Sequence, residues 1–136
     1  TLSQKVPVSG AVIVTTPQDI ALLDAVKGIE MFAKVDIPVL GLIENMSVHR
    51  CAECGHESHL FGQGGGKTIA DRLQVPLLAE LPLDRSIREQ ADGGMPSVRA
   101  APDSAISAIY RDAARHLTAR LWGAEQTGPA ISMVDD

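Results

Sequence analysis

Residues 10–19, Gly-Ala-Val-Ile-Val-Thr-Thr-Pro-Gln-Asp, decide the fold class of this chain. Within them, Ala11–Thr15 is a short apolar and mostly β-branched run, which is typical of a strand buried on both faces. Apolar residues then recur every three or four positions over residues 19–34 and predict an amphipathic helix. A second apolar run, Val39–Ile43, comes shortly afterwards. Strand, helix and strand with short connections predict a right-handed parallel βαβ unit.

The rest of the chain continues this alternation of strands and helices. A third apolar run, Leu77–Leu81, predicts another strand. Helices are predicted at residues 67–73, at residues 86–91 and from about residue 101 onward. Three parallel strands joined by helices give the fold class α/β, a parallel sheet with flanking helices.

The carboxyl ends of the three strands are the expected ligand-binding edge, as in other open α/β sheets. They carry Thr15–Gln18, Glu44–Met46 and Leu81–Asp84, which we expect to lie together. We predict one domain over residues 1–122, followed by a flexible tail at residues 123–136.

Composition limits the classes of function. The chain has 136 residues, of which 45% are hydrophobic and only 3% aromatic, so aliphatic side chains must form the core. A formal net charge of −5 argues against nonspecific binding to nucleic acid, which needs a basic surface. Neither a membrane-length apolar run nor a signal peptide is visible. We therefore expect a cytoplasmic protein that binds neither membranes nor nucleic acid.

The glycine-rich stretch Phe61–Asp71 looks like a phosphate-binding P-loop but has the wrong spacing. The P-loop pattern places a glycine five residues before the Gly-Lys pair, and that position is Phe61. Gly62 is one residue too close, and the preceding residues are too polar for a core strand. We interpret the stretch as a glycine-rich turn that opens a helix at about Lys67.

Two cysteines, Cys51 and Cys54, form a single C-x-x-C in the predicted loop at residues 46–66. Without a secretion signal, a metal or redox role is favoured over a structural disulfide. Three nearby imidazoles are possible zinc ligands: His49, His56 and His59. This spacing is tighter than in zinc fingers, so we interpret the histidines as solvated loop residues. One chain does not complete a four-cysteine site, whereas a symmetric dimer does so with one C-x-x-C from each subunit.

Five segments together carry a family resemblance. They are Gly10–Asp19 (GAVIVTTPQD), Gly41–Ser47 (GLIENMS), Cys51–Gly55 (CAECG), Phe61–Gly66 (FGQGGG) and Leu81–Asp84 (LPLD). In this order and spacing they resemble the Mrp/ApbC family of iron–sulfur cluster carrier ATPases, relatives of MinD and of the nitrogenase iron protein. The resemblance covers about Leu2 to Pro96.

The resemblance implies a [4Fe–4S] cluster held by Cys51 and Cys54 of two subunits in a homodimer. It further implies transfer of the cluster to recipient apoproteins, with ATP and magnesium taking part in the intact protein. The family's own P-loop lies near the start of a longer chain and is not found here. We therefore expect the carboxyl-terminal half of a P-loop NTPase (MinD-like) fold that lacks its P-loop half and does not hydrolyse ATP alone.

The resemblance also implies an adenine site formed by Asn45 and by Pro82, Leu83 and Asp84. The residues alone favour a plainer interpretation, in which Asn45 caps a turn and Pro82 ends a strand. Asp19 is predicted to be a helix N-cap. For the whole chain, the alternative function is a noncatalytic zinc-binding or protein-interaction module.

Lack of the P-loop half has a consequence for the sheet. We expect one edge of the sheet to be bare and apolar, which favours self-association. The residues predicted near the exposed face are Val12, Val14, Leu40 and Leu42.

Overall fold

A three-stranded parallel sheet organises the chain, as the sequence predicts. The structure is a computed structural model that describes residues 5–125. In chain order its elements are β1 (Ala11–Thr15), α1 (Asp19–Lys34), β2 (Val39–Glu44), β3 (His49–Arg50), β4 (Glu57–Ser58), α2 (Gly65–Leu73), β5 (Leu77–Glu80), α3 (Arg85–Asp92), α4 (Ser97–Ala100) and α5 (Ala105–Glu125). The sheet order is β1-β2-β5, and both strand pairs are parallel. This architecture confirms the predicted α/β fold class.

The core forms where helices α1 and α2 pack on the central strand. Leu42 of β2 is fully buried, and Ile29 and Ile69 pack with it from the two helices. Each such side chain contributes roughly 1.5–3 kcal/mol when it leaves water. The core is aliphatic, as the composition requires.

Helix α1 has the predicted bounds, and its apolar residues are divided between a buried side and an exposed side. Ala25 and Ile29 are buried, whereas Ile20, Leu23 and Met31 are 72%, 58% and 52% exposed. Apolar residues occupy both sides of this helix, so periodicity alone does not show which side meets the sheet. The N-cap prediction for Asp19 is also wrong, since Asp19 is already the first helical residue.

The carboxyl-terminal helices differ from the prediction at both ends. The short helix α4 was not predicted, and α5 begins at Ala105 rather than at residues 101–103. The buried hydroxyl of Ser107 lies 2.8 Å from the Ser97 carbonyl oxygen and 2.7 Å from that of Ala101, and so joins α4 to α5. Helix α5 continues to Glu125, past the predicted start of the tail at residue 123. Residues 126–136 lie outside the described part of the chain.

One side of β1 is a free edge among the residues that the structure describes. Val14 on this strand is 62% exposed, in agreement with the predicted bare edge, and Val12 is half-buried. The prediction is wrong for Leu40 and Leu42, which are buried because β2 is the central strand and is covered on both sides. Between residues 5 and 125, every helix is too short or too polar to cross a membrane.

Candidate functional site

Hydrogen bonds hold the carboxyl ends of the three strands level with one another. The Asn45 N–H donates to the Thr15 carbonyl oxygen at 2.7 Å, and the Leu81 N–H donates to the Glu44 carbonyl oxygen at 2.8 Å. The predicted clustering of these three chain segments is therefore confirmed. The residues that directly follow β1, β2 and β5 lie together at this edge of the sheet.

The two cysteines lie in the turn of a small hairpin at this edge. Strands β3 and β4 pair antiparallel, and residues 49–58 form the unit that we call the cysteine hairpin. The Cys51 N–H donates to the His56 carbonyl oxygen at 2.9 Å, and the Gly55 N–H donates to the Cys51 carbonyl oxygen at 2.9 Å. Gly55 has a φ of +71°, a left-handed conformation that favours glycine. The turn thus holds Cys51 and Cys54 in one short arc of backbone.

Both thiols are free, and they differ in surroundings. Cys54 is exposed and Cys51 is half-buried. The backbone N–H groups of Cys54 and Glu53, and then the Cys54 side chain, donate hydrogen bonds that lower the pKa of Cys51. Because the thiolate is the form that binds metal, the turn prepares Cys51 to act as a ligand.

The nearby histidines do not complete a metal site with these thiols. The ring Nδ1 of His59 lies 2.8 Å from the Ser47 carbonyl oxygen and closes the base of the hairpin. His56 is exposed, and its backbone carbonyl oxygen accepts the hydrogen bond from the Cys51 N–H in the turn. Among residues 5–125, no group of three or more His, Cys, Asp and Glu side chains is arranged to hold a metal ion. Within that part of the chain, one copy offers two thiolates together.

The hairpin is fastened to the segment that follows β5. The Ser47 N–H and hydroxyl both donate to the Leu81 carbonyl oxygen, at 3.0 Å and 3.1 Å. The Leu83 N–H donates to the Val48 carbonyl oxygen at 2.8 Å, and His49 pairs with Leu83 as a parallel bridge. The chain thereby adds a short ladder beyond the end of the main sheet.

Asn45 lies at the predicted edge, and its side chain supports a turn. Its Oδ1 accepts a hydrogen bond of 2.9 Å from the N–H of Met46, whose φ is +58°. Asn45 also contributes to the wall of a cleft of about 450 Å³ between β1 and α1. The turn contact fits the plainer interpretation, and within residues 5–125 the amide nitrogen makes no hydrogen bond.

Pro82, Leu83 and Asp84 are half-buried in the loop after β5 and do not line the cleft beside Asn45. Asp84 is the N-cap of α3, because its Oδ1 accepts hydrogen bonds from the Ser86 N–H at 2.7 Å and the Ser86 hydroxyl at 2.5 Å. These bonds, with a smaller contribution from His49, lower the pKa of Asp84. Sequence reasoning did not foresee this capping role.

Glu44 is an important residue that sequence reasoning missed. Its side chain is 1% exposed, and its Oε2 accepts a hydrogen bond of 2.5 Å from the N–H of Gly66 in the first turn of α2. A Cβ atom at Gly66 would lie 2.7 Å from that oxygen, so this position requires glycine. The available signal was a carboxylate at the end of an apolar strand, because a buried charge needs a partner.

This contact explains the glycine-rich stretch that resembles a P-loop. Gly64 is the N-cap of α2 with a φ of +72°, and the helix N-terminus, which favours an anion, already holds the Glu44 carboxylate. Lys67 pairs instead with Asp71 at 3.2 Å on the exposed face of the helix. The stretch is a structural turn, as its spacing predicts.

Comparison with known proteins gives a consistent result. Over 114 residues the chain is 62% identical to the iron–sulfur cluster carrier protein of Pseudomonas fragi, covering 84% of this chain and 40% of that protein. It is 53% identical over 122 residues to the protein of that name from Escherichia coli K12, covering 90% of this chain and 33% of the relative. It is 50% identical over 120 residues to the iron–sulfur cluster transfer protein NUBPL of Mus musculus, covering 88% of this chain and 38% of that protein. The chain thus spans between a third and two fifths of these relatives.

Solved structures agree on the fold. The cell division ATPase MinD of Pyrococcus furiosus superposes with a TM-score of 0.64 at 27% identity, covering 82% of this chain and 43% of MinD. A nucleotide-binding protein from Archaeoglobus fulgidus, solved in complex with ADP, gives a TM-score of 0.56 at 35% identity and covers 63% of this chain and 35% of that one. The profile of the NUBPL iron-transfer P-loop NTPases, within the ParA group, matches residues 1–118. The chain therefore belongs to the NUBPL family of iron-transfer P-loop NTPases.

Proposed function

We propose that this chain is the part of an iron–sulfur cluster carrier that holds the cluster for delivery to recipient apoproteins. Family membership and the names of the relatives support this function. The observation that carries it is the turn of the cysteine hairpin, which presents Cys51 and Cys54 as free thiols at the surface. An exposed position suits a cargo that must be released to another protein.

The cluster is proposed to be a [4Fe–4S] cluster shared by a homodimer. Each described chain contributes two thiolates, and a cluster of this type takes four. Two hairpins that meet across a twofold axis supply all four ligands. The metal–thiolate bonds then join the two subunits.

The same edge of the sheet is the proposed site for the adenine base of ATP in the intact protein. Asn45 lines a cleft, and its amide nitrogen makes no hydrogen bond among the residues that the structure describes. The Pro82–Asp84 loop lies next to the cysteine hairpin. Amide groups suit the mixed donor and acceptor edge of a purine. Phosphate and magnesium contacts are assigned to other parts of a longer chain, because Glu44 already occupies the N-terminus of α2. We place this activity in the cytoplasm.

Anaerobic reconstitution with iron and sulfide tests the shared-cluster proposal. We expect a brown protein with broad absorbance, one cluster per two chains, and a dimer by mass in solution. Cys51→Ala or Cys54→Ala is expected to remove cluster and dimer together, while circular dichroism remains unchanged because the turn lies outside the core. His56→Ala is the matched control from the same turn and is expected to retain both.

Other outcomes identify the competing possibilities. A colourless sample with stoichiometric zinc would favour the noncatalytic zinc-binding or interaction module. A full cluster in either cysteine variant, or one cluster per monomer in the wild type, would contradict the shared site.

A further inference from the structure

The cysteine hairpin and the Pro82–Asp84 loop are connected by backbone hydrogen bonds rather than merely adjacent. The Leu83 N–H donates to the Val48 carbonyl oxygen at 2.8 Å, and His49 pairs with Leu83 as a parallel bridge. Cys51 is only two residues beyond His49. The path from the metal-binding turn to the Pro82–Asp84 loop is therefore one short strand and one hydrogen bond.

Ser47 adds two further hydrogen bonds to this connection. It is 6% exposed, and both its N–H and its hydroxyl donate to the Leu81 carbonyl oxygen. Its own carbonyl oxygen lies 2.8 Å from Nδ1 of His59, at the other end of the hairpin. Ser47 thus contacts both the far side of the hairpin and the segment that leads into Pro82.

The two ends of this connection also differ in how firmly they are held. Ser47 and Leu81 are buried, each 6% exposed, whereas Cys54 at the tip of the turn is exposed. A segment whose tip is exposed and whose base is buried gains order at the tip when a ligand binds there. The hydrogen bonds at the base then restrict the motion of the residues that they join, which include Leu81 and Leu83.

We infer that Ser47 and the His49–Leu83 bridge couple the two loops, so that a metal ion or cluster bound at Cys51 and Cys54 tightens the Pro82–Asp84 loop. This inference rests on the proposed function, in which the hairpin holds the cluster and the loop contacts the adenine base. Because coupling between binding sites is reciprocal, nucleotide at the loop strengthens metal binding at the hairpin by the same factor. Cluster loading and nucleotide binding are then linked within this half of the protein.

Amide hydrogen exchange by NMR, with and without Zn²⁺ as a diamagnetic probe, tests the coupling on the chain itself. The informative amides are Leu83 and Ser47, which bond across the two loops. We expect zinc to slow their exchange by at least about fivefold, the lower end of typical coupling. The reference is the Met95 N–H, which bonds to the Gln90 carbonyl oxygen at 2.9 Å and belongs to neither loop. Its exchange is expected to remain unchanged.

Two serine variants separate coupling from simple binding. Ser47→Ala removes the hydroxyl bond to the Leu81 carbonyl oxygen and is expected to reduce the response of Leu83 while zinc remains bound. Ser58→Ala removes a hydroxyl from β4 of the same hairpin without removing a bond to Leu81, and is expected to keep the full response.

The outcomes distinguish this inference from the function on which it rests. Bound zinc with unchanged exchange at Leu83 and Ser47 in the wild type would overturn the coupling and leave the cysteine site intact. Equal slowing at Met95 would overturn it too, because a general stabilisation would then explain the data. Failure of the wild type to bind zinc, measured by dialysis and elemental analysis, would overturn the hairpin as a metal site and the coupling with it.

Discussion

Asp84 shows how a single side chain can serve local structure at a position that the family resemblance assigns to a ligand. Its Oδ1 accepts both hydrogen bonds from Ser86 and so satisfies the N-terminus of α3. The carboxylate is therefore engaged by the helix N-terminus. Asn45 presents the same situation, because its Oδ1 is engaged by the N–H of Met46.

Removal of the Asp84 carboxylate is expected to destabilise the fold in a pH-dependent way. Asp84→Ala should lower the free energy of unfolding by about 1 kcal/mol at pH 7, the usual effect of losing an N-cap. The Ser86 hydrogen bonds hold the pKa of Asp84 below its ordinary value of 3.8, so the folded state favours the charged form. This contribution is fully present above the ordinary pKa and is lost as the pH falls below it towards the folded pKa.

Denaturant unfolding of wild type and variants between pH 7 and pH 2 checks this expectation. The difference between wild type and Asp84→Ala should shrink below about pH 4, near the ordinary aspartate pKa. Asp84→Asn is the control, because asparagine also caps helices but does not titrate. A constant difference at every pH would show that the carboxylate charge makes no contribution.

At the scale of elements, the glycine-rich turn before α2 is shaped by a contact with a distant strand. Gly66 lies against the Glu44 carboxylate, and Gly65 lies against Leu22 of α1. The turn is glycine-rich because two neighbouring elements approach its backbone closely. The resemblance to a P-loop follows from that requirement for close approach, and here the group approaching the helix N-terminus belongs to the protein.

Gly66→Ala is therefore expected to destabilise the protein although alanine is the better helix former. The added methyl group would lie 2.7 Å from Glu44 Oε2 and 3.0 Å from its Cβ, and this side chain is buried and has little room to move. Overpacking of this kind costs about 1–3 kcal/mol. Gly123→Ala in α5 is the matched control, since no other group among residues 5–125 lies within 4 Å of a Cβ there. It should stabilise by up to about 1 kcal/mol.

Thermal or denaturant unfolding of the two alanine variants measures this difference. Stabilisation by both substitutions would show that helix propensity dominates and that the Glu44 contact is dispensable. Opposite signs would confirm that the glycine at position 66 is required by close packing.

The strands and helices that depend on residues close in sequence could be predicted, whereas contacts between distant residues could not. The apolar runs of β1, β2 and β5 and the span of α1 follow from residues close in sequence. The Glu44–Gly66 bond joins residues 22 apart, and the Ser47–Leu81 bond joins residues 34 apart. Neither contact leaves a periodic signal. The cysteine turn was predictable as a site because C-x-x-C is chemically distinctive, whereas its attachment to the loop after β5 depends on the folded sheet.

For the whole molecule, the main physical consequence of the described fold is the free edge of β1. An edge strand presents unpaired N–H and C=O groups that can pair with another chain. The edge strand itself adds apolar surface, since Val14 is 62% exposed. The chain spans only a third to two fifths of the length of these relatives.

We expect the chain alone to self-associate through this edge and a charge at Val14 to weaken the association. Val14→Lys places a charge on the edge strand, a device that natural sheets use against edge pairing. Because the side chain is already 62% exposed, stability should change by no more than about 0.5 kcal/mol. Sedimentation velocity over a range of concentrations, under metal-free conditions that exclude cluster-linked dimers, should show the wild type growing in mass and the variant remaining smaller. Val98→Lys is the control, since Val98 is 40% exposed on α4 and outside the sheet. An ideal wild-type monomer at high concentration, or equal dissociation by Val98→Lys, would contradict an association that depends on β1.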